Sequence, residues 1–178
     1  GNIYKCFAAN LPIVVGTTGW YASFNEVIQK CAKQNQTILH ATNCSLGVNL
    51  FFELNKKFAK LMSTQNDYDV KIEEIHHTQK LDAPSGTAIT LAEGIIKNSN
   101  YQHWSLDQKG PDTISIVAKR IEDVPGTHIV SYDSTVDNIE IKHTAINREG
   151  FALGAVIAAE WIVGKTGIFT MKDVLNIG

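Results

Sequence analysis

The sequence predicts an α/β fold in which part of a parallel sheet with crossover helices is joined to a second region whose sheet has antiparallel character. The opening segments follow one another as helix, strand, helix, strand, which is the rhythm of a parallel sheet. After residue 112, three strand-like segments follow without long helices between them, which favours pairing as neighbours with antiparallel character. The composition, 44% hydrophobic and 19% charged over 178 residues, is sufficient for one sizeable core or two small ones.

The parallel-sheet region is predicted from the first 42 residues. Residues 3–10 have a helical pattern, and LPIVV at 11–15 is a short buried-strand run that GTTG at 16–19 ends. YASFNEVIQKCAKQN at 21–35 follows with helical periodicity, and TILHAT at 37–42 is the next strand. These segments form only a fragment of a larger sheet.

The middle of the chain predicts helix, strand and helix. SLGVNLFFELNKKFAKLMS at 45–63 places its large apolar residues on one broad face, as expected of a helix. YDVKIEEIHH at 68–77 alternates like a strand, and DAPSGTAITLAEGIIKN at 82–98 is a turn followed by a helix.

The last third predicts three strands and two helical segments. TISIVAKR at 113–120, GTHIVSYDS at 126–134 and NIEIKHTAI at 138–146 are the strands. FALGAVIAAEWIVGK at 151–165 is a strongly apolar helix, and FTMKDVL at 169–175 predicts a terminal helical turn or two.

Charge and cysteine content disfavour several classes of partner. The formal net charge is −2 and the 16 basic residues are scattered, so we predict no nucleic-acid face, no membrane-binding patch and a small-molecule partner. Cys6, Cys31 and Cys44 lack CxxC spacing, which favours free thiols in a reducing, cytoplasmic setting. The longest apolar run, 151–164, is interrupted by Glu160 and is too short to span a bilayer.

Two adjacent histidines and a lysine suggest proton chemistry. Consecutive strand residues point to opposite faces, so His76 and His77 can share one site only where the strand ends and the chain turns. Zinc is a natural alternative, but the spacing matches neither HExxH nor a Cys/His set. We therefore predict no metal site. Histidine titrates near neutral pH without help, and Lys80 adds positive charge and protons.

The PSGTA turn suggests an anion site beside these groups. Ser85 or Thr87 can cap the following helix, and Gly86 lets a ligand approach the backbone. Alone, such a turn is most often only a helix cap. A few residues after two histidines and a lysine, it indicates a pocket for a carboxylate or phosphate.

Two strand-to-helix junctions are weaker candidates for ligand contact. GTTG at 16–19 and ATNCSLG at 41–47 each follow a strand, where α/β sheets bind ligands. No GxGxxG occurs in the sequence, and each junction has a plain alternative as a turn or a helix cap. Four further charged or titratable residues near strand ends have no assignable role from sequence pattern alone: Arg120, Lys142, His143 and Arg148.

Five segments together resemble the dihydrodipicolinate reductase family, also called 4-hydroxy-tetrahydrodipicolinate reductase. They are VVGTTGW (14–20), NCSLGVN (43–49), EIHHTQKLDAPSGTA (74–88), VPGTH (124–128) and INREGFALGA (146–155). The HHxxKxDAPSGTA block is highly specific to that family, and the resemblance runs from about residue 1 to 177. It implies an NAD(P)H-dependent oxidoreductase that produces tetrahydrodipicolinate in the diaminopimelate route to lysine.

The resemblance also implies roles for individual residues. His76 would be the general acid/base and Lys80 the proton donor. The implied substrate-binding residues are His77, Ser85, Gly86 and Thr87. The implied cofactor-binding residues are Gly16, Thr17, Thr18, Ala41, Thr42, Asn43, Cys44 and Arg148. Thr42 and Cys44 differ from the commoner Ala and Phe of the family, a difference that contacts through the backbone would tolerate.

The implied fold is a partial Rossmann-like nucleotide-binding domain plus an α+β substrate and tetramerisation domain with a mixed sheet. Residues 1–45 and 149–178 would form the first domain, and residues 46–148 the second, which would also build a homotetramer. The glycine-rich opening of family members is absent, so we expect an N-terminally shortened form that alone binds NADH or NADPH weakly and turns over poorly. Preference between the two cofactors cannot be predicted.

Two other functions remain open on the sequence. The first is a non-catalytic dicarboxylate-binding or oligomerisation module without the glycine-rich half of the cofactor site. It would bind a dicarboxylate and transfer no hydride even when an upstream segment is supplied. The second, a zinc-dependent hydrolase, requires stoichiometric metal and ranks far behind.

Overall fold

The computed structural model describes residues 1–177, which divide into two compact units. Unit 1 comprises residues 1–49 and 149–178, and unit 2 comprises Leu50–Arg148. The first boundary between the units lies after Asn49, within the helix Leu46–Met62. The sequence predicted this boundary four residues earlier, after residue 45. That the two units are a cofactor domain and a substrate domain stays a prediction.

Unit 1 is a three-stranded parallel sheet with helices. Its elements in chain order are α1 (Asn2–Ala8), β1 (Ile13–Val15), α2 (Phe24–Lys33), β2 (Thr37–His40), the start of α3 (Leu46–Met62), then α5 (Glu149–Trp161), β8 (Gly167–Phe169) and α6 (Met171–Leu175). The strand order is β1-β2-β8, and both pairings are parallel.

The central strand of the unit 1 sheet, β2, packs against apolar residues on both faces. Ile38 packs in one cluster with residues of α1, β1 and α2: Phe7, Val15, Val27 and Cys31. Leu39 points to the other face and packs with Ala41, Cys44, Ala158, Ile162 and Met171. Buried parallel strands read as apolar runs because neither face meets water.

Unit 2 is a five-stranded mixed sheet with helices. It contains the remainder of α3, β3 (Asp69–His76), α4 (Gly86–Ile96), β4 (His103–Leu106), β5 (Thr113–Arg120), β6 (Thr127–Asp133) and β7 (Asn138–Thr144). The order is β4-β5-β3-β6-β7. β3 pairs parallel with β5 and antiparallel with β6, so the central strand makes the sheet mixed.

One face of β3 carries both core and polar residues. Val70, Ile72, Glu74 and His76 are all buried, and the residues between them are more exposed. The buried side chains of α4 include Leu91 and Ile95, and the Leu91 carbonyl accepts a hydrogen bond from Asn55 of α3 at 2.9 Å. The sheet and these helices thus fix the end of β3, where His76 lies.

The predicted fold class is confirmed, but the pairing of the late strands was wrong and two strands were missed. The three late strands do not all pair as neighbours, because β5 pairs with β3 and β4 while only β6 and β7 form a hairpin. Two strands were not predicted: β4, between α4 and β5, and β8, whose last residue, Phe169, is the first residue of the predicted terminal helix. Within residues 1–177, every helix is too short or too polar to cross a membrane.

Candidate active site

The candidate active site lies at the carboxyl end of β3. His76 is the last residue of β3, and its carbonyl accepts a hydrogen bond from the Ile121 amide at 2.8 Å. That bond extends the parallel pairing with β5 and anchors the strand end. The loop from 77 to 85 then leads into α4, so the predicted proton donors and the helix start come from one short stretch.

The helix start is capped as predicted. Ser85 is extended at the N-cap, and its Oγ accepts a hydrogen bond from the Ala88 amide at 3.2 Å. The first turn of a helix presents backbone N–H groups and a positive dipole end, a common anion site. A Cβ added at Gly86 would meet no atom within 4 Å, so there is open space beside this turn.

A buried carboxylate that the sequence analysis did not identify lies at the centre of the site. Glu74 has no exposed surface, and its two oxygens accept from the Ser85 amide at 3.2 and 3.1 Å. Arg120, which sequence pattern alone could not assign, donates to Glu74 Oε1 from Nη1 at 3.4 Å and from Nη2 at 3.3 Å. Arg120 therefore compensates a charge that burial would otherwise make costly.

Arg120 also holds the loop that carries Lys80. Its Nη2 donates to the Asp82 carbonyl at 2.6 Å, and its Nε donates to the Lys80 carbonyl at 3.4 Å. Lys80 Nζ contacts both carboxylate oxygens of Asp82, at 2.8 and 2.9 Å. Burial opposes the change, but the hydrogen bond and charge of Lys80, with Arg120, lower the pKa of Asp82.

His76 has a second histidine beside it. The rings of His76 and His128 lie 5.0 Å apart between centroids, and His128 Nε2 is 3.2 Å from Ser85 Oγ. Burial lowers the pKa of His76; Glu74 opposes that change, and Lys80 and Arg120 add to it. Burial, together with the positive charge of neighbouring histidines and Lys80, lowers the pKa of His128 to about 3.

His77 points into a different cavity from this cluster. It lines a cavity of about 280 Å³ together with Arg148 and with residues 78–79 and 122–125. Glu122 and Asp123 are part of that lining. The structure therefore places Arg148, predicted as a cofactor residue, next to the predicted substrate residue His77 in unit 2.

The other predicted cofactor residues come together at one edge of the unit 1 sheet. β1 and β2 are parallel neighbours, so their carboxyl ends meet, and the Ala41 amide donates to the Val15 carbonyl at 3.1 Å. A Cβ on Gly16 would lie 3.6 Å from Cys44 Sγ. Gly16, Thr17 and Thr18 are exposed there. α/β sheets bind nucleotides beyond the carboxyl ends of their strands, but that these residues bind a nicotinamide cofactor stays a prediction.

An aromatic cluster beside this edge was missed. The rings of Trp20, Tyr21 and Phe24 lie 6.1, 6.3 and 5.0 Å from the His40 ring. Trp20 Nε1 also donates to the Thr17 carbonyl at 2.8 Å. This hydrogen bond connects the aromatic cluster to the GTTG turn. Burial lowers the pKa of His40. The signal of the cluster was the aromatic spacing of GTTGWYASF, directly after the turn.

Three buried groups are close enough to hold a metal ion. Among the residues described, ligand atoms of Glu74, His76 and His128 all lie within 4.8 Å of one another. The carboxylate of Glu74 is already bonded to a guanidinium and an amide, which disfavours a second cation there. The prediction that no metal binds stays a prediction.

Comparison with known proteins identifies the family. The sequence profile of the family described as "Dihydrodipicolinate reductase, C-terminus" matches residues 47–175. A 4-hydroxy-tetrahydrodipicolinate reductase from Christiangramia forsetii is 57% identical over 176 residues, which are 98% of this chain and 74% of that protein. The enzyme of the same name from Aquifex aeolicus is 43% identical over 171 residues, covering 93% of this chain and 64% of the relative.

A further relative and a solved structure agree with that match. The Methanosarcina barkeri 4-hydroxy-tetrahydrodipicolinate reductase is 38% identical, covering 95% of this chain and 65% of the relative. A dipicolinate-bound dihydrodipicolinate reductase from Paenisporosarcina sp. TG-14 has the same fold, with a TM-score of 0.68, 23% identity, and coverage of 95% of this chain and 66% of that one. The chain thus spans about two thirds to three quarters of the length of these proteins. It belongs to the 4-hydroxy-tetrahydrodipicolinate reductase family.

Proposed function

We propose that the chain serves the NAD(P)H-dependent reduction of 4-hydroxy-tetrahydrodipicolinate or dihydrodipicolinate to tetrahydrodipicolinate, in diaminopimelate and lysine biosynthesis. The observation that carries the proposal is the cluster of His76, Lys80 and the Ser85-capped helix start around one end of β3. This cluster belongs to a chain that is 57% identical to a relative of that name.

The substrate is a cyclic dicarboxylate, and unit 2 offers matching groups. Lys80 supplies positive charge, and the first turn of α4, from Gly86 and Thr87, supplies backbone donors for a carboxylate. His77 and Arg148 add two groups of positive or hydrogen-bonding character in the neighbouring cavity. The solved relative from Paenisporosarcina binds dipicolinate, which is a flat dicarboxylate of this class.

His76 would act as the general acid/base, with Lys80 as a further proton donor. A hydride acceptor that is a conjugated imine gains negative charge on addition, and a positioned acid contributes about 10²- to 10⁴-fold to such a step. Bound NADH or NADPH would supply the hydride. Gly16, Thr17, Thr18 and the segment Ala41 to Cys44 would hold that cofactor at the edge of the unit 1 sheet.

A homotetramer in the cytoplasm is the proposed working form. β7 is an edge strand whose free side is available for pairing, and Ile139 on it is exposed. Val136, at the turn before it, is also exposed. Exposed apolar residues along an unpaired strand are typical of a surface that pairs with another copy.

The proposal is tested by titrating pyridine-2,6-dicarboxylate into the 178-residue chain by calorimetry. We expect saturable binding, and Lys80→Ala should raise Kd by about tenfold or more because a charge-assisted contact is lost. Lys109→Ala removes an exposed lysine in the loop before β5 and serves as the matched control. No saturable binding by the parent chain, or unchanged binding by Lys80→Ala, would contradict the proposal.

Hydride transfer distinguishes the reductase from a module that only binds dicarboxylates. The chain is supplied with an intact upstream segment of the Christiangramia relative, and NADH or NADPH consumption is followed with the natural substrate. Cofactor oxidation supports the reductase. Dicarboxylate binding without oxidation would instead support the non-catalytic alternative.

A further inference from the structure

The carboxylate of Glu74 is fixed by several hydrogen bonds and lies beside the ring of His76. It lies two residues before His76 on the same face of β3. The Ser85 amide and Arg120 bind it from two sides, so the carboxylate is anchored independently of either histidine. A fully buried carboxylate with this many donors is positioned to within a narrow range.

Two imidazoles face the Oε2 atom of Glu74. His76 Nδ1 lies 3.6 Å from Oε2, and His128 Nε2 lies 3.7 Å from it. Within residues 1–177, the buried Nδ1 of His76 has no hydrogen-bond partner. The Glu74 oxygen is thus the nearby acceptor that a proton on Nδ1 can use, and catalytic hydrogen bonds often shorten when the substrate binds.

We propose that Glu74 is the positioning residue of His76. Its Oε2 holds the proton of His76 on Nδ1, and this leaves Nε2 as the atom that exchanges a proton with the substrate. The inference rests on the proposed function, in which His76 is the general acid/base. Fixing one ring nitrogen through a hydrogen bond is the usual way in which proteins select a histidine tautomer.

The surroundings of His76 Nε2 agree with a proton on Nδ1 and an Nε2 that is free to exchange a proton with the substrate. A Cβ on Gly126 would lie 3.3 Å from both Cδ2 and Nε2 of His76. The glycine of the VPGTH segment therefore keeps that edge of the ring free of a side chain. The edge carrying Nδ1, by contrast, faces the anchored carboxylate.

The charged groups around His76 come from every element packed against it. Glu74 lies on β3, His128 on β6, Arg120 on β5, and Lys80 and Asp82 in the loop. Lys80 and Arg120 oppose a positive charge on His76, and Glu74 and Asp82 favour one. Burial and nearby positive charge keep the pKa of His128 low, at about 3. Glu74 is then the largest favourable influence on the imidazolium form of His76.

The direct test is ¹⁵N and ¹H NMR of the histidine rings in the complete 178-residue chain. At neutral pH we expect His76 to carry its proton on Nδ1, with Nε2 unprotonated. In Glu74→Gln, that tautomer preference should be lost and the pKa of His76 should fall, because the charge that favours the imidazolium is gone. Glu73→Gln is the matched control, since Glu73 pairs with Lys119 at 2.6 Å and points away from the buried face.

Kinetics of the chain joined to the upstream segment give the second readout. Glu74→Gln should lower kcat by roughly tenfold or more with little change in KM, and the loss of activity with rising pH should move to lower pH. Glu74→Asp keeps the charge and should recover part of kcat. A purely structural role would predict no shift of the pH profile.

Several outcomes would overturn the inference. An Nε2–H tautomer for His76 in the parent chain does so without any variant, even if Glu74→Gln fails to fold. The inference is also overturned if folded Glu74→Gln keeps the His76 tautomer and pKa of the parent chain. Stoichiometric metal bound to Glu74 in the purified chain would overturn it as well. Because NMR needs no turnover, absent dicarboxylate binding with the expected tautomer would refute the proposed function and leave the positioning role intact.

Discussion

Lys80, which we propose as a contact for a substrate carboxylate, forms an ion pair with Asp82. Asp82 contacts Lys80 Nζ through both oxygens, and its side chain is 59% exposed. An exposed ion pair of this kind contributes only about 0.2–1 kcal/mol. A dianionic ligand can therefore displace Asp82 from Lys80 at small cost.

Removing the charge of Asp82 should strengthen dicarboxylate binding. Asp82→Asn takes away both a competitor for Lys80 and a repulsive charge, so we expect the Kd for pyridine-2,6-dicarboxylate to fall by up to about fivefold. Calorimetry in low salt measures the change. Asp112→Asn, on an exposed turn before β5, makes the same change in net charge and should leave Kd unaltered. Weaker binding by Asp82→Asn would mean that Asp82 orients Lys80 for the ligand.

At the scale of residues, the burial of Glu74 could have been predicted from the sequence, although a carboxylate is usually exposed. The alternation of β3 places Glu74 on the face of Val70 and Ile72, so burial of this carboxylate could have been predicted from period alone. The role of Arg120 could not be predicted in this way, because its partners are a strand residue 46 positions away and two loop carbonyls. His128 was likewise hidden in an alternating strand with no motif that sequence pattern alone could assign.

At the scale of elements, the packing of α5 depends on one missing methyl group. Gly154 is buried, and a Cβ there would lie 1.9 Å from the carbonyl oxygen of Cys44. No real Cβ approaches an oxygen so closely. The helix therefore lies against the backbone that follows β2, next to the predicted cofactor segment.

Gly154→Ala should destabilise unit 1. The helix would have to move, and overpacking of this kind costs about 1–3 kcal/mol or more, which exceeds the roughly 1 kcal/mol that alanine gains in helix propensity. Urea denaturation followed by circular dichroism measures the loss. Gly150→Ala in the same helix is the control, because its Cβ would lie 3.9 Å from Ser45 Oγ, an ordinary contact. Equal stability of the two variants would show that α5 shifts freely.

The elements that escaped sequence analysis were short or polar. β8 has three residues and β4 has four, HWSL, without a clear alternation. Their place as strands comes from pairing, β8 with β2 and β4 with β5. Long periodic segments such as α3 and β3 were predicted within two residues, because their own pattern is sufficient to define them.

At the scale of the whole molecule, the strand order could not be derived from local pattern. β3 enters between β5 and β6, which are consecutive along the chain. This insertion brings His76, Arg120 and His128 together from three strands, and it makes the site a product of long-range topology. The HHxxK and SGT motifs predicted the location of the candidate site, while the buried residues that support it depend on this strand order.

The buried His128 should make the stability of the protein depend on pH. Its pKa falls from the ordinary value of 6.5 to about 3 in the folded protein. The unfolded chain therefore binds the extra proton first, so the stabilisation is complete above about pH 6.5 and is lost as pH falls toward about 3. The loss should amount to a few kcal/mol by linkage, at roughly 1.4 kcal/mol for each unit of pKa.

Comparison of variants isolates this dependence from that of the carboxylates. His128→Gln cannot gain the proton, so its free energy of unfolding should change less between pH 6.5 and 3 than that of the parent. His103→Gln removes an exposed histidine from β4 and should follow the parent curve. Denaturant unfolding at a series of pH values measures all three. Parallel curves for His128→Gln and the parent would contradict the expected linkage.

Arg120 has a consequence for redesign. One guanidinium binds the carboxylate below His76 and two carbonyls of the loop that carries Lys80. Arg120 therefore fixes the position of the loop relative to β3. An insertion between residues 77 and 84 would disturb these contacts and move Lys80 away from His76. Under the proposed function, redesign for a longer or bulkier diacid should keep these Arg120 contacts and alter residues 122–125, which line one cavity with His77 and Arg148.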